Sequence, residues 1–336
     1  MQQQRLVYRS FGDPLECLAL ESAPLPPRPP GLLRVAMELA PVNPSDLIPV
    51  SGAYAQRIRL PAIAGYEGVG RVTGAPEGLA HLTGRRVLPL RGAGTWQRFV
   101  DCDPDLAIIV PDTVDDATAA RAYINPLAAM TMLERWPVAG RRVLLSGAGS
   151  MCSELLGRWA RQAGATGVWG LCRSPARAAR LTACGIEPVP LDDPVRLRDL
   201  AARADVVFDS LGGETGSAVI CAMRPGAVFV GYGLLTGKPI RPAGPVRADY
   251  RRFHLRDHLA GMDAPTWQDS FRRIWARLAG LNLPEVEVFP LGDWRGGAGP
   301  CAPAGRRQAG AGFQAADLNR APGCRQRPTA ALALAT

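Results

Sequence analysis

The sequence predicts an α/β chain of two domains, a partly open β-barrel followed by a doubly wound parallel sheet. Three observations carry this expectation. A chain of 336 residues is more than one hydrophobic core comfortably fills. The first 120 residues are short apolar runs interrupted by Gly and Pro. Beyond them, strand-like and helix-like segments alternate at the interval of βαβ units.

Taken in order, "LLRVAMELAPVN", "GYEGVGRVTG", "GRRVLPLRG", "GTWQRFVDC" and "AIIVP" are expected to be short strands joined by tight turns. "SAPLPPRPPGLL" reads as a proline-stiffened spacer leading into the first of them. "DATAARAYINPLAAMTMLERW" has helical spacing of apolar residues, with Pro126 as a kink or restart point. "RRVLLSGAGS" is a strand entering a glycine turn, and "ELLGRWARQAGA" a helix. The alternation continues through "GVWGLCRS", "PARAARLTACG", "EPVPLDD", "PVRLRDLAARA", "DVVFDSLGG", "TGSAVICAMRPG" and "AVFVGYG". "WQDSFRRIWARLAGL" then reads as an amphipathic helix.

Composition narrows the function classes. Hydrophobic residues make up 47% of the chain, yet no apolar run reaches the roughly 18 residues of a membrane span. The start, "MQQQRLVYRSFGDP", lacks the apolar core of a secretion signal, so a cytoplasmic location is expected. Eight cysteines are scattered without a CxxC pair, and His81, His254 and His258 form no cluster with them. The pattern predicts neither a metal site nor a disulfide framework. The net charge of +9 resembles a nucleic-acid signal, but only one of 39 basic residues is a lysine, Lys238. After Leu291 six arginines face two aspartates, so much of the excess lies in the tail. A small-molecule substrate is expected, with no nucleic acid and no membrane.

Chemistry enters at "VLLSGAGSMCSELLGRWARQAG". A strand runs into Gly147 and Gly149, and a helix follows at Ser150 and Met151. Glycines let the backbone approach a pyrophosphate, and a helix N-terminus supplies amide donors and a positive dipole end. The third glycine of the usual fingerprint is missing, and an ordinary strand-to-helix turn can carry the same pair. Dinucleotide binding is favoured because the turn leads a run of βαβ units. About twenty residues on, an acid normally bonds the ribose 2′-hydroxyl. Arg173 and Ser174 occupy that place, with Arg177 nearby. A cation in place of an acid suits a 2′-phosphate, hence NADPH, although an arginine can also merely solvate a helix start.

With "PVNPSD", "GAY", "GYEGVGRV", "GTWQRFV", "YINPLAAMTML", "GAGS", "CRS", "DSLGG", "MRPG" and "VGYGLLTGKPI" in this order, the chain resembles the zinc-independent medium-chain dehydrogenase/reductase superfamily. Within it, the NADPH-dependent 2-enoyl thioester reductases and quinone oxidoreductases are the most similar. The resemblance spans residues 1 to about 295. It implies a GroES-like barrel as the catalytic domain, a Rossmann cofactor domain, a site in the cleft between them, and a homodimer. The domains implied are 1–120 catalytic, 121–256 cofactor-binding and 257–295 returning to the first. Gly65-Tyr66-Glu67 stands where metal-dependent members carry Gly-His-Glu, which removes a zinc ligand.

Without a metal, the hydride acceptor must already be activated, as an enoyl thioester or a quinone is. The resemblance makes Tyr54 of "SGAY" the proton donor; a loop-packing aromatic is its alternative. It places Asn43 at the substrate and Asn125 beside the cofactor, though either could instead cap a loop. It gives Gly231, Tyr232 and Gly233 contacts to the nicotinamide end. The aromatic pair expected next is weakened to "RRFHLRDHL", which makes His254 a wall residue. Three readings stay open: an enoyl thioester reductase, a quinone oxidoreductase, and a cofactor-binding protein without turnover.

After "FPLGDWR", residues 296–336 lose all periodicity and have the composition of a disordered tail. Read one base out of frame, these codons can spell the short helix and final strand that the family should have. A frameshifted tail is therefore expected.

Overall fold

The computed structural model describes residues 1–53, 55–298 and 329–334. Within it the chain divides into two compact units, residues 1–121 with 279–336, and residues 122–278.

The first unit begins with β1 (Gln2–Tyr8), α1 (Pro14–Cys17), β2 (Leu18–Pro24), β3 (Leu33–Pro41) and α2 (Pro44–Leu47). It continues with β4 (Ala62–Ile63), β5 (Val69–Gly74), β6 (Arg86–Leu88), β7 (Phe99–Cys102), β8 (Ile108–Ile109) and α3 (Asp116–Ala119). In the second unit lie α4 (Ile124–Arg135), β9 (Arg142–Leu145), α5 (Met151–Gln162), β10 (Gly167–Cys172), α6 (Pro175–Ala183) and β11 (Glu187–Pro190). It goes on through α7 (Pro194–Arg203), β12 (Val206–Asp209), α8 (Gly213–Ala222), β13 (Val228–Gly231), β14 (Asp249–Arg252), α9 (Leu255–Leu259) and α10 (Ala264–Leu278). The chain returns to the first unit with β15 (Val286–Pro290), α11 (Trp294–Ala298) and β16 (Thr329–Ala333).

In the second unit β11-β10-β9-β12-β13-β14 form one six-stranded sheet, parallel throughout. Its central strands β9, β10 and β12 are almost continuously buried, as strands covered on both faces are. "VVFD" is buried at all four positions. The strand order reverses between β9 and β12, and ligands of open α/β sheets bind outside the carboxyl ends at such a point. Pro126 sits in the first turn of α4, where its missing N–H costs nothing, so it restarts the helix and does not kink it.

The first unit holds a three-stranded antiparallel sheet, β2-β1-β4, and a larger one, β15-β16-β3-β5-β6-β8, with β7 also on β3. Among the described residues this ladder ends at β15 and β8 and does not close into a barrel. Side chains of both sheets meet in one core around Leu6, Leu33, Val35, Met37, Trp96 and Val100.

Two boundaries differ from those the sequence suggests. Residues 257–278 belong to the second unit and do not return to the first. The reason is the apolar stripe of α10: Trp267, Phe271, Ile274 and Leu278 are all buried. Tyr123 meets the edge of Trp267 at 5.4 Å, Arg273 pairs with Glu134, and the Arg277 guanidinium lies 5.2 Å over Trp159. The second difference lies in the tail. Residues 329–334 are built structure: β16 runs antiparallel to β3 and parallel to β15, burying Ala330, Ala331, Leu332 and Leu334. Alanine is a weak strand former, and the two flanking strands decide the conformation of this alanine-rich segment. Residues 299–328, the rest of the expected tail up to β16, lie outside the described residues.

Trp267→Ala should destabilise the protein by about 3–5 kcal/mol, because a large side chain is removed from a packed aromatic cluster. Urea denaturation followed by circular dichroism checks this; an unchanged midpoint would detach α10 from the second unit.

Candidate active site

The glycine turn is held by hydrogen bonds at the switch point of the second unit. Ser146 follows β9, and its hydroxyl donates to Asp209 Oδ1 at the end of β12. The same hydroxyl oxygen accepts from Ser210 N at 2.9 Å and Leu211 N at 3.3 Å. The Ser146 carbonyl accepts from Ser210 Oγ at 2.9 Å and Ser153 Oγ at 3.2 Å. Gly212 N donates to Asp209 Oδ2 at 2.9 Å. Asp209 is only 2% exposed, and its burial raises the carboxyl above its ordinary pKa, against the lowering effect of the Ser146 and Gly212 donors.

Around this knot stand the residues expected from the sequence. Gly147 has φ of +58°, and a Cβ there would come within 2.4 Å of Ser210 Oγ. A Cβ at Gly149 would meet Arg177 Cδ at 3.1 Å, so the Arg177 side chain lies along the turn. Ser150 caps α5, accepting from Ser153 N, and Met151 opens that helix. Gly231 ends β13, and Gly233 packs so closely on Ser210 that a Cβ would touch its backbone at 2.8 Å. The Tyr232 phenol turns inward, with its oxygen 2.7 Å from Ser153 Oγ. It thereby ties the loop after β13 to α5.

Arg173 follows β10, is exposed, and makes no side-chain hydrogen bond or ion pair to any described residue. Ser174 caps α6, accepting from Arg177 N at 3.3 Å. Glu154 is buried between Arg158 Nε at 3.1 Å and Arg180 Nη2 at 2.8 Å, which locks α5 to α6. Asn125 is half-buried in the first turn of α4. A dinucleotide fits these features: a cradle that only glycine permits, the start of a twelve-residue helix, and an uncommitted guanidinium beyond the neighbouring strand.

A second polar cluster lies in the first unit. Asn43 precedes α2 and is 7% exposed; its Nδ2 donates to Glu67 Oε1 at 2.7 Å. Asn43 N donates to Asp46 Oδ2 at 2.8 Å, and Tyr66 N to Asp46 Oδ1 at 2.9 Å. Asp46 therefore staples the Asn-Pro-Ser-Asp turn to the segment 65–67. Burial, with Glu67 nearby, pushes Asp46 up to about 8 despite the amide donors. Gly65, at φ of +89°, lets this segment press against Trp96, since a Cβ would sit 2.4 Å from the indole. Tyr54 lies outside the described residues.

Sequence reasoning did not find Ser146, Asp209, Ser210 or the Asp46–Glu67 pair. Ser146 and Asp209 do end their strands with polar residues, which is the signal that could have found them. Among the described residues no three of His, Cys, Asp and Glu gather as a metal-binding group. No described helix is long and apolar enough to cross a membrane.

Comparison with known proteins adds to this geometry. No family model matches the chain. It is 37% identical over 139 residues to a mitochondrial enoyl-[acyl-carrier-protein] reductase of Caenorhabditis elegans, covering 40% of each chain. It is 28% identical over 249 residues to the enzyme of the same name from Arabidopsis thaliana, covering 70% of this chain and 66% of that one. The matched stretches thus span less than two thirds of these relatives' own length. A solved Bacillus thuringiensis structure, assigned as an NADPH:quinone reductase, superposes with a TM-score of 0.83 at 29% identity, over 99% of both chains. These likenesses, to enoyl reductases and to an NADPH:quinone reductase, fit the resemblance to the zinc-independent medium-chain dehydrogenase/reductase superfamily.

Gly147→Ala should cost about 2 kcal/mol or more, from the left-handed backbone and the Ser210 contact. Thermal melts of the two proteins check this. Asp46 gives a pH signature. Its folded pKa of about 8 lies above the ordinary carboxyl value, so the unfolded chain releases that proton first. Its contribution to stability is full at acid pH and is lost as pH rises toward 8. Melting temperatures from pH 5 to 8.5 should fall more steeply for the wild type than for Asp46→Asn; parallel slopes would contradict the assignment.

Proposed function

We propose that this protein is a zinc-independent medium-chain dehydrogenase/reductase and an NADPH-dependent reductase of activated double bonds, with trans-2-enoyl thioesters as its substrate class. The observation that carries the cofactor reading is the glycine cradle at the switch point beside the uncommitted Arg173. The matched relatives are enoyl reductases by name, which supports the acceptor. NADPH, when bound, would supply the hydride for the β-carbon of the acceptor. The residues of the chain divide the remaining work. Gly147, Gly149, Ser150 and Met151 would hold the pyrophosphate, and Arg173 with Ser174 the 2′-phosphate. Asn125 and the 231–233 loop would bound the nicotinamide end. Asn43 would contact the acceptor's oxygen, and Tyr54 would deliver the proton to the α-carbon. The first unit is read as the GroES-like catalytic domain, on the order of its motifs.

A quinone acceptor is the second reading, favoured by the name of the Bacillus thuringiensis neighbour. It would not require Tyr54. A homodimer is also proposed: β14 is the outer edge of its sheet, and all four of its residues are exposed. Sedimentation velocity should then give twice the chain mass.

NADPH oxidation with crotonyl-CoA and with a simple quinone separates the acceptors. Tyr54→Phe should depress the first rate far more than the second; equal small losses would remove Tyr54 from the chemistry. Binding of NADPH should exceed that of NADH by at least about tenfold, roughly 1.4 kcal/mol. Arg173→Ala should erase most of that difference by weakening NADPH alone. Equal affinities in the wild type would end the NADPH assignment.

A further inference from the structure

A cavity of about 800 Å³ opens on the second unit, between α7, α8 and the segment 238–244. None of its lining residues belongs to the glycine turn or to the 231–233 loop. Three cations line it: Arg198 from α7, and Lys238 and Arg241 from the connection between β13 and β14. Their side chains make no hydrogen bond or ion pair to any described residue. Their neighbours on α7 behave differently, since Arg196 pairs with Glu187 and Arg203 with Asp199. The one acid on the lining, Glu214, pairs with none of the three. Like charges gathered on one concave wall repel each other unless an anion balances them.

The backbone that carries Lys238 and Arg241 is fixed to α8. Gly213 N donates to the Lys238 carbonyl at 2.8 Å, and Arg241 N to Ser217 Oγ at 2.7 Å. Thr236 Oγ1 donates to the Leu211 carbonyl at 2.7 Å. A Cβ at Gly216 would come within 2.9 Å of Ile240 Cγ2, so the connection lies directly on the helix. Two of the three cations therefore hang from a braced backbone, which lowers the ordering cost of binding.

We propose that this cavity is a second ligand site, which binds a small phosphate monoester with an apolar body. Its residues are separate from those assigned to the cofactor, and the inference does not rest on the reductase reading. Three cations against one acid leave two positive charges in excess. A phosphate monoester is close to a dianion at neutral pH and offers three strong acceptor oxygens. Guanidinium groups bind such oxygens in pairs, and the lysine adds a compact charge. Inorganic phosphate alone would use the charges but leave most of the cavity to water. Ala218, Ala222 and Pro239 also line it, and give an apolar body a surface to cover. The volume falls within the roughly 300–1,000 Å³ of small-molecule sites, which favours such a ligand over a flat docking partner.

The test is calorimetric titration of the full-length protein with phenyl phosphate at low ionic strength. Phenyl phosphate should bind saturably, and about fivefold or more tighter than inorganic phosphate, which lacks the apolar body. Binding should persist with NADPH in excess, because different residues hold the two. Arg198→Ala, Lys238→Ala and Arg241→Ala should each weaken phenyl phosphate by about fivefold or more. All three side chains are exposed, so these variants keep the fold. Ala218 is an exposed position of α8, and Ala218→Trp keeps every charge while filling the cavity. It should weaken phenyl phosphate by about tenfold. Added salt should weaken binding too, since exposed charges are screened. No saturable binding in the wild type, or displacement by NADPH, would overturn the proposal. So would unchanged affinity in the three alanine variants, or full affinity in Ala218→Trp. Inorganic phosphate binding as tightly as phenyl phosphate would overturn the ligand class.

Discussion

The second unit depends on one hydrogen bond, from the Ser146 hydroxyl to the buried carboxyl of Asp209. It joins the ends of β9 and β12, the two neighbouring strands at which the sheet reverses its order. From it the amides of Ser210, Leu211 and Gly212 are fixed, and Gly147 is pressed against Ser210. Ser153 extends the network into α5, and Tyr232 extends it into the loop after β13. Three segments from distant parts of the chain thus share one set of polar bonds. Such a network rigidifies a site because each lost partner strands a buried group, at about 1–3 kcal/mol.

The first unit solves a similar problem with different groups. Its Asn-Pro-Ser-Asp turn and the 65–67 segment are held by Asp46 and Glu67 through Asn43 and Tyr66. Asp46 sits buried beside another acid, and its raised pKa records the cost. In both units a short run of irregular backbone follows a strand, and buried side chains complete its hydrogen bonds. Those runs are where the expected site residues lie, Gly147 and Gly149 in one and Asn43 in the other. The regular elements supply the rigid frame.

Tertiary packing also decides where the chain passes from one unit to the other. The amphipathic stripe of α10 offers an apolar face that either unit could in principle cover. Aromatic contacts with Tyr123 and the cation over Trp159 settle it for the second unit. For β16 the partners are β3 and β15, each contributing a ladder of backbone bonds to a sequence of alanine and leucine.

The sequence by itself determined the alternation of strands and helices, because apolar spacing of two and of 3.6 residues is local. It located the glycine turn and the arginine after β10, since glycine and charge act through their own backbone and side-chain chemistry. Asn43, Asn125 and the 231–233 loop were expected at the site only through a family likeness. What the tertiary structure decided are the partnerships: Ser146 with Asp209 across 63 residues, and Asn43 with Glu67 across 24. It likewise settled the membership of α10 and β16. Hydrogen bonds between buried side chains leave no period in a sequence. Their energy depends on the burial and mutual placement that only the folded chain creates.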